Sequence, residues 1–519
     1  MTFWLNRNMN KLNWRVIFNM IGYALLALSA LMLLPVIVGL LNKEYVPLRA
    51  FAKTIVLCMA LGLFLSRLKV KRNAYFARDG MIAVGLVWVG VSFFGSLPFY
   101  LSGQIPSLID CFFETVSGFT TTGATILTDI EALSRCLLFW RSFTHWIGGM
   151  GVLVFVLAFL PKNNEHTMYI MRAEVPGPTI SKLVSRLKTT AMILYGLYMA
   201  LSVIELIFLL AGGMPLFDAL CNTFGTAGTG GFAIYGASIG AYHSVYVDVV
   251  ITVFMFLFGV NFNMYFFLIL RDIRPIFRNE ELRWYFGIVF GAIVLVTINI
   301  LGMYDSVPEA VRYASFQVVS IITTTGYATA DFNLWPTLSK MILFFLMVVG
   351  ACAGSTGGGI KVTRLMIVLK KIKLNIQKLW HPHKVEAIMV DSKIVNKETV
   401  DQIMAFFGAW MIIIAAATLI VALDNFDFTT TQTSVYTCLG NVGPGLGLCG
   451  PSGSFAMLSG FPRSCFRSAC CLDVWKFIRS SFFCFLCSIV SAGRWNAVAR
   501  IHYEKGLRWQ VLLFHRQMI

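Results

Sequence analysis

The sequence predicts an all-α polytopic membrane protein: two leading helices plus four repeated helix–pore-helix–helix units around one pore. Three observations carry this reading. The 519 residues are 57% hydrophobic and only 13% charged, with a mean hydropathy of +0.74, whereas a soluble domain is about 25% charged. Several windows of roughly 20 residues hold almost no charge, the length that crosses about 30 Å of hydrocarbon. Finally, a passage of Gly, Thr and small residues recurs four times: TTTGAT at 120–125, FGTAGTGGFA at 224–233, ITTTGYAT at 322–329 and LGNVGPGLG at 439–447.

The chain opens with two spans, at about 16–39 and 50–66, joined by a connection holding Lys43, Glu44 and Arg49. Arg7, Lys11 and Arg15 precede or begin the first span, which lacks a small-residue cleavage pattern and is followed by more spans. It therefore reads as a retained helix rather than a signal peptide. The first unit has a span at 80–100, the short segment Ser107–Phe119, TTTGAT and a crossing at 137–160. The second has a span at 190–211, the short segment Leu216–Thr226, GTGGFA and a span at 245–269. The third has a span at 284–303, the short segment Pro308–Ile322, TTTGYAT and a span from about Leu338. The fourth has a span at 403–423, the short segment Phe428–Leu439 and GNVGPGLG, and should close with a final crossing. The expected divisions are 1–70 for the leading helices, then 71–170, 171–275, 276–385 and 386–519 for the four units.

Lysines and arginines test this arrangement. They gather in loops at 67–78, 161–190, 271–283 and 361–384, while the segments carrying the Gly/Thr passages hold only Arg135 and Arg312. Every basic loop falls on one face only if the short segments turn back at half depth. The rule that Lys and Arg stay inside then places the N-terminus in the cytoplasm. It also accounts for the net charge of +17 without any nucleic-acid partner.

Irregular backbone at membrane depth is tolerated only where it is buried in protein or lines a water-filled cavity. Four such turns satisfy this by converging on an axis, where their carbonyls replace the hydration shell of a monovalent cation. Glycine gives the needed backbone angles, threonine adds an uncharged oxygen, and the C-terminal end of each half-helix presents a negative dipole. No passage contains Lys or Arg, and Asp110, Glu114, Asp218, Asp331, Asp424 and Asp427 lie close by in sequence. Such acids near an entrance are expected to concentrate cations.

A further Gly-rich stretch, GACAGSTGGGIK at 350–361, interrupts the third unit's second span. Gly350, Gly354, Gly357, Gly358 and Gly359 cannot sustain an ordinary helix. A loop over 350–360 that restricts or gates passage is expected, with Lys361 and Arg364 near its cytoplasmic end; a kink for tight helix packing is the plainer alternative. The stretch lacks the GxxxxGK[ST] spacing of a phosphate-cradling loop. The seven histidines show no metal-ligand spacing, and His145 reads as an interfacial or packing residue. Cys484 and Cys487 form a lone CxxC. No hydrolase arrangement or ATP motif is visible, so neither an enzyme nor a cofactor is expected.

The chain closely resembles the TrkH/TrkG family, the membrane subunits of bacterial Trk potassium uptake systems within the Trk/Ktr/HKT superfamily. The residues that carry the resemblance are SGFTTTGAT (117–125), FGTAGTGGF (224–232), ITTTGYAT (322–329), GNVGPGLG (440–447), ACAGSTGGGIKVTR (351–364), FWRSFTHWIGGMG (139–151) and MRAEVPGP (171–178). The resemblance implies low-affinity K⁺ uptake through one pathway in the bacterial inner membrane. It also implies a homodimer and a cytoplasmic nucleotide-binding regulatory subunit, TrkA, docked on the basic loops. The filter glycines it carries over are Gly123, Gly326 and Gly443, with Gly231 matched in the second unit and the adjacent Gly230 as the alternative. Oxygens ahead of them would come from Thr121, Thr122, Thr229, Thr324, Thr325, Asn441 and Val442.

One departure follows about Phe461. Arg463, Arg467, Asp473, Lys476 and Arg479 interrupt what should be an apolar helix, and five cysteines fall between 465 and 487; charges at membrane depth are costly. The family's Gly-Arg-Leu-Glu-like motif is missing here. So abrupt a change reads as a shifted reading frame, with a divergent helix as the alternative; a frameshift would leave the fourth unit without its second wall and the protein inactive. Two other readings remain: a Na⁺-coupled or Na⁺-conducting transporter of the same superfamily, and a non-transporting structural or sensing membrane component.

Overall fold

The computed structural model describes residues 13–68, 77–149, 151, 187–382 and 387–457. The leading helices are α1 (Trp14–Leu31), continued after Met32 by α2 (Leu33–Leu41), and α3 (Tyr45–Ser66). α1 and α3 approach closely where Gly22 faces the backbone of Leu65 and Ser66, and where Gly62 faces Leu26. Small residues at such crossings bring helix backbones together in a membrane.

The repeats follow. The first unit holds α4 (Ala77–Leu101), the half-helix α5 (Leu108–Phe119) and α6 (Arg135–Gly149). The second holds α7 (Leu187–Ala211), α8 (Leu216–Ala227), α9 (Val245–Phe258) and α10 (Phe262–Ile269), with α11 (Arg274–Arg278) after it. The third holds α12 (Glu280–Ile300), α13 (Val307–Ile322), α14 (Thr337–Val349) and α15 (Val362–Trp380). A two-stranded antiparallel hairpin, β1 (Met389–Val390) and β2 (Lys393–Ile394), precedes α16 (Lys397–Val421) and α17 (Phe428–Gly440).

Among the described residues, six helices are long and apolar enough to cross a membrane. They are the two leaders and the first helix of each unit: 14–41, 45–66, 82–101, 192–211, 280–303 and 397–424. By contrast α5 and α8 have 12 residues each and α17 has 13. Twelve residues reach only about 18 Å, so these helices end inside the protein. The chain is a multi-pass membrane protein.

The second helices differ from expectation. Residues 245–269 were expected as one span; the structure breaks them into α9 and α10, bent by 92°. The exposed backbone is satisfied locally and across the fold: the Asn261 side chain caps α10 at Asn263 N (3.0 Å), and Gly259 O accepts from Cys352 N (3.1 Å). The third unit breaks between α14 and α15, as its glycines require. The rest of the first unit's second crossing, most of loop 161–190 and the final crossing after 457 lie outside the described residues.

Packing joins successive units. Each half-helix packs on the first and second helices of its own unit where these are described: α5 on α4 and α6, α8 on α7 and α9, α13 on α12 and α14, α17 on α16. Three of them also pack on the second helix of the unit before: α8 on α6, α13 on α9 and α17 on α14. The C-terminal ends of all four half-helices therefore converge.

Candidate cation filter and its gating loop

The four turns share one backbone pattern. Two residues before each key glycine the chain turns left-handed, at Thr121 (φ 59°), Thr229 (51°), Thr324 (60°) and Asn441 (65°). The glycines follow with positive φ: Gly123 (80°), Gly231 (71°), Gly326 (85°) and Gly443 (98°). The residues between, Thr122, Gly230, Thr325 and Val442, are not left-handed. Alternating hands turn successive carbonyls toward the same side, which glycine accepts at little cost.

The intermediate residue is fixed identically in all four units. Its N–H donates back into the half-helix: Thr122 to Ser117 O, Gly230 to Gly225 O and Thr325 to Ser320 O (each 2.9 Å), and Val442 to Thr437 O (3.0 Å). Its carbonyl faces the glycine of the neighbouring unit. A side chain on Gly123 would meet Gly230 O, one on Gly231 would meet Thr325 O, one on Gly326 would meet Val442 O, and one on Gly443 would meet Thr122 O. The circuit runs through all four units and returns to the first. It also separates the two candidates of the second unit: Gly231 has the backbone of Gly123, Gly326 and Gly443, while Gly230 takes the place of Thr122, Thr325 and Val442.

The side-chain oxygens of the turns have protein partners. Thr122 Oγ1 pairs with Thr120 Oγ1 and Thr325 Oγ1 with Thr323 Oγ1, both at 2.8 Å. Thr229 Oγ1 donates to Gly228 O (2.7 Å), and Thr324 Oγ1 accepts from Gly358 N (2.5 Å). Asn441 bridges the fourth unit to the first: Oδ1 accepts from Thr122 Oγ1 (2.8 Å), and Nδ2 donates to Thr121 O (2.9 Å). Side-chain oxygens thus brace the turns, and backbone carbonyls form the ring.

Four of the acids near the turns have defined partners. Glu114 is buried against Arg141, with Nε to Oε1 at 2.6 Å. Asp218 accepts from Tyr242 Oη (3.1 Å) and Tyr235 Oη (3.3 Å). Asp331 caps the short turn at 332–334 through Asn333 N (3.0 Å), and Asp427 caps α17 through Thr430 N (3.0 Å). The last two cap helix and loop ends. Of the two readings of His145 the packing one holds: it is fully buried, with Nδ1 2.7 Å from Gly118 O and its ring against Phe232 and Gly230.

The Gly-rich loop lies directly against the ring. Gly358 N reaches Thr324 Oγ1, and Gly359 N donates to Gly440 O (2.9 Å). Gly357 leaves no room for a side chain beside Ala351 and Thr323 O, nor Gly358 beside Asn441. The loop also fastens to the broken second unit, through Phe262 N to Gly354 O (3.1 Å) and Thr356 Oγ1 to Phe258 O (3.2 Å). Lys361, at the end of the loop, is buried, and its Nζ donates to Gly357 O within the loop. Sequence reasoning missed Glu281. Its Oε1 accepts from Ala353 N (2.6 Å) and Thr363 N (3.2 Å), pinning both ends of the loop. The only signal was a second acid at the start of an apolar span, which reads as a helix-end charge.

Residues 47–461 match the TrkH family, described as a cation transport protein; the match ends where the compositional departure begins. The chain is 33% identical over 444 residues to the Trk system potassium uptake protein TrkH of Salmonella typhimurium, covering 84% of this chain and 92% of that protein. It is 33% identical over 458 residues to the Trk system potassium uptake protein TrkG of Escherichia coli K12, covering 87% and 93%. The crystal structure of the potassium transporter TrkH from Vibrio parahaemolyticus superposes with a TM-score of 0.81 at 28% identity, covering 90% of this chain and 98% of that one. The repeated units, the ring of turns and these likenesses agree: the chain belongs to the TrkH cation transport protein family.

Proposed function

We propose that the chain is the translocating subunit of a Trk-type system and carries K⁺ into a bacterial cell across the inner membrane. The observation that carries this is the closed circuit of carbonyls and glycines contributed by all four units. K⁺ is cargo, and the ring needs no cofactor. Its ligands in this reading are the carbonyls of Thr122, Gly230, Thr325 and Val442, with Thr229, Thr324 and Asn441 in the layer below and Thr121 O shared with Asn441. The loop at 350–361 is the gate, because it contacts the third and fourth turns from below.

The division into two leaders and four units, the cytoplasmic N-terminus, a homodimer and a TrkA-like regulatory subunit on the basic cytoplasmic face belong to the same proposal. Expression in a bacterium lacking its own K⁺ uptake systems tests it: growth at low K⁺ should be restored. No growth, with the protein present in the membrane, would contradict it for the sequence as it stands. Resequencing the DNA over codons 455–519 then separates the causes. An apolar helix in another frame would place the fault in the last crossing rather than in the ring.

A further inference from the structure

The four boundaries of the ring are latched differently. The second and third units are joined by Tyr327 Oη donating to Asn222 O (3.1 Å). The third and fourth are joined by Asn333, which exchanges two bonds with the backbone of Gly447 (2.9 and 3.2 Å). The fourth and first are joined by the Asn441 side chain. These three latches are neutral; the second and third units also share a partly exposed ion pair, Arg312 with Asp248 (3.7 Å).

The boundary between the first and second units holds a fully buried ion pair. Glu114, on α5, holds the chain leaving its own turn: Oε1 accepts from Thr125 Oγ1 (2.9 Å) and Oε2 from Ile126 N (3.0 Å). Arg141, on α6, donates Nε to Glu114 Oε1 (2.6 Å) and Nη1 to Ala233 O (2.8 Å), in the chain leaving the second turn. Its guanidinium also lies over the Phe232 ring, 3.5 Å from the centroid. One continuous set of bonds therefore runs from Ile126 to Ala233. Both side chains are at most 2% exposed, while the other ion pairs among the described residues are 9–33% exposed.

Glu114 stands nine residues before Gly123; Asn222, Gln317 and Ser434 stand nine before Gly231, Gly326 and Gly443. Gln317 performs a neutral version of the same task, donating Nε2 to Ala330 O (3.2 Å) after the third turn. A buried ion pair is a poor means of gaining stability, because desolvation offsets most of its attraction. What a planar, bidentate guanidinium supplies is fixed geometry.

Resting on the filter reading above, we propose that Glu114 and Arg141 are positioning residues for ion selectivity: their pair sets the spacing between the first and second turns. Neither touches the ion. A carbonyl ring discriminates by holding its oxygens in place, and this pair links the chains leaving the first and second turns.

The test is K⁺ and Na⁺ tracer flux through the purified full chain in liposomes, at matched amounts of folded protein. Arg141→Lys keeps the charge but lacks the fork needed to hold Glu114 and Ala233 together. Glu114→Gln with Arg141→Leu removes both charges and leaves no buried ion unpaired. Both variants are expected to lower the K⁺/Na⁺ flux ratio roughly tenfold, within the range of couplings between contacting residues. Arg312→Gln, which breaks a partly exposed pair with Asp248, should leave the ratio unchanged. Folded variants that keep the wild-type ratio overturn the brace and leave the filter standing. A wild-type chain that passes both ions equally overturns the filter reading and the brace together.

Discussion

The carbonyl oxygen of Val442 occupies the place where a side chain on Gly326 would begin. Gly326 also has φ of +85°, a conformation costing an L-residue about 1–2 kcal/mol. Gly326→Ala must therefore displace a ring carbonyl and strain its own turn. We expect K⁺ flux to fall at least tenfold, or K⁺ preference to be lost, with the ratio of K⁺ to Na⁺ tracer uptake as the measurement.

Gly358 is confined by Asn441 Cβ and Gly440 O, 2.7 and 3.0 Å from where its own Cβ would lie. Alanine there pushes the loop off the ring and loosens the bond from Gly358 N to Thr324 Oγ1. If the loop is the gate, Gly358→Ala raises K⁺ flux several-fold in the absence of a regulatory subunit. Tracer uptake at matched protein reads this directly.

Glu281 holds the N–H groups of Ala353 and Thr363. Glu281→Ala orphans both, and each buried unsatisfied donor costs about 1–3 kcal/mol. Hydrogen exchange over 351–363 should quicken while that of α12 changes little. Glu281→Gln keeps one acceptor oxygen and should fall between the two.

Tyr327 is a control for the ring. Its hydroxyl latches the third unit to Asn222 O (3.1 Å), and Tyr327→Phe removes that bond for about 1 kcal/mol. The thermal midpoint should drop by a few degrees, and K⁺ preference should persist because that boundary keeps the bonds from Gly240 N to Ala328 O and from Ala328 N to Ser238 Oγ.

Much of this arrangement was legible in the sequence because it depends on spacing. TTTGAT and TTTGYAT recur in the same frame, and the half-helices before them are too short to cross. The basic loops fall on one face only if those helices turn back. Other features depend on partners far away in the chain. In FLFGVNFN a single Gly among apolar residues does not announce a 92° bend; the bend exists because Gly259 O and Phe262 N find the loop at Cys352 and Gly354. Glu114 looked like a charge at an entrance because its counter-ion, Arg141, is 27 residues away. The threonines suggested hydroxyl ligands, yet local pairing with neighbouring hydroxyls and carbonyls satisfies most of them.

The most direct test of the central claim, that four turns from one chain form a single K⁺-selective ring, is competition for tracer uptake into liposomes holding the purified chain. Unlabelled K⁺ should suppress uptake, and Na⁺ at the same concentration should suppress it far less. Equal suppression by the two ions, or uptake no greater than in empty liposomes, would contradict it.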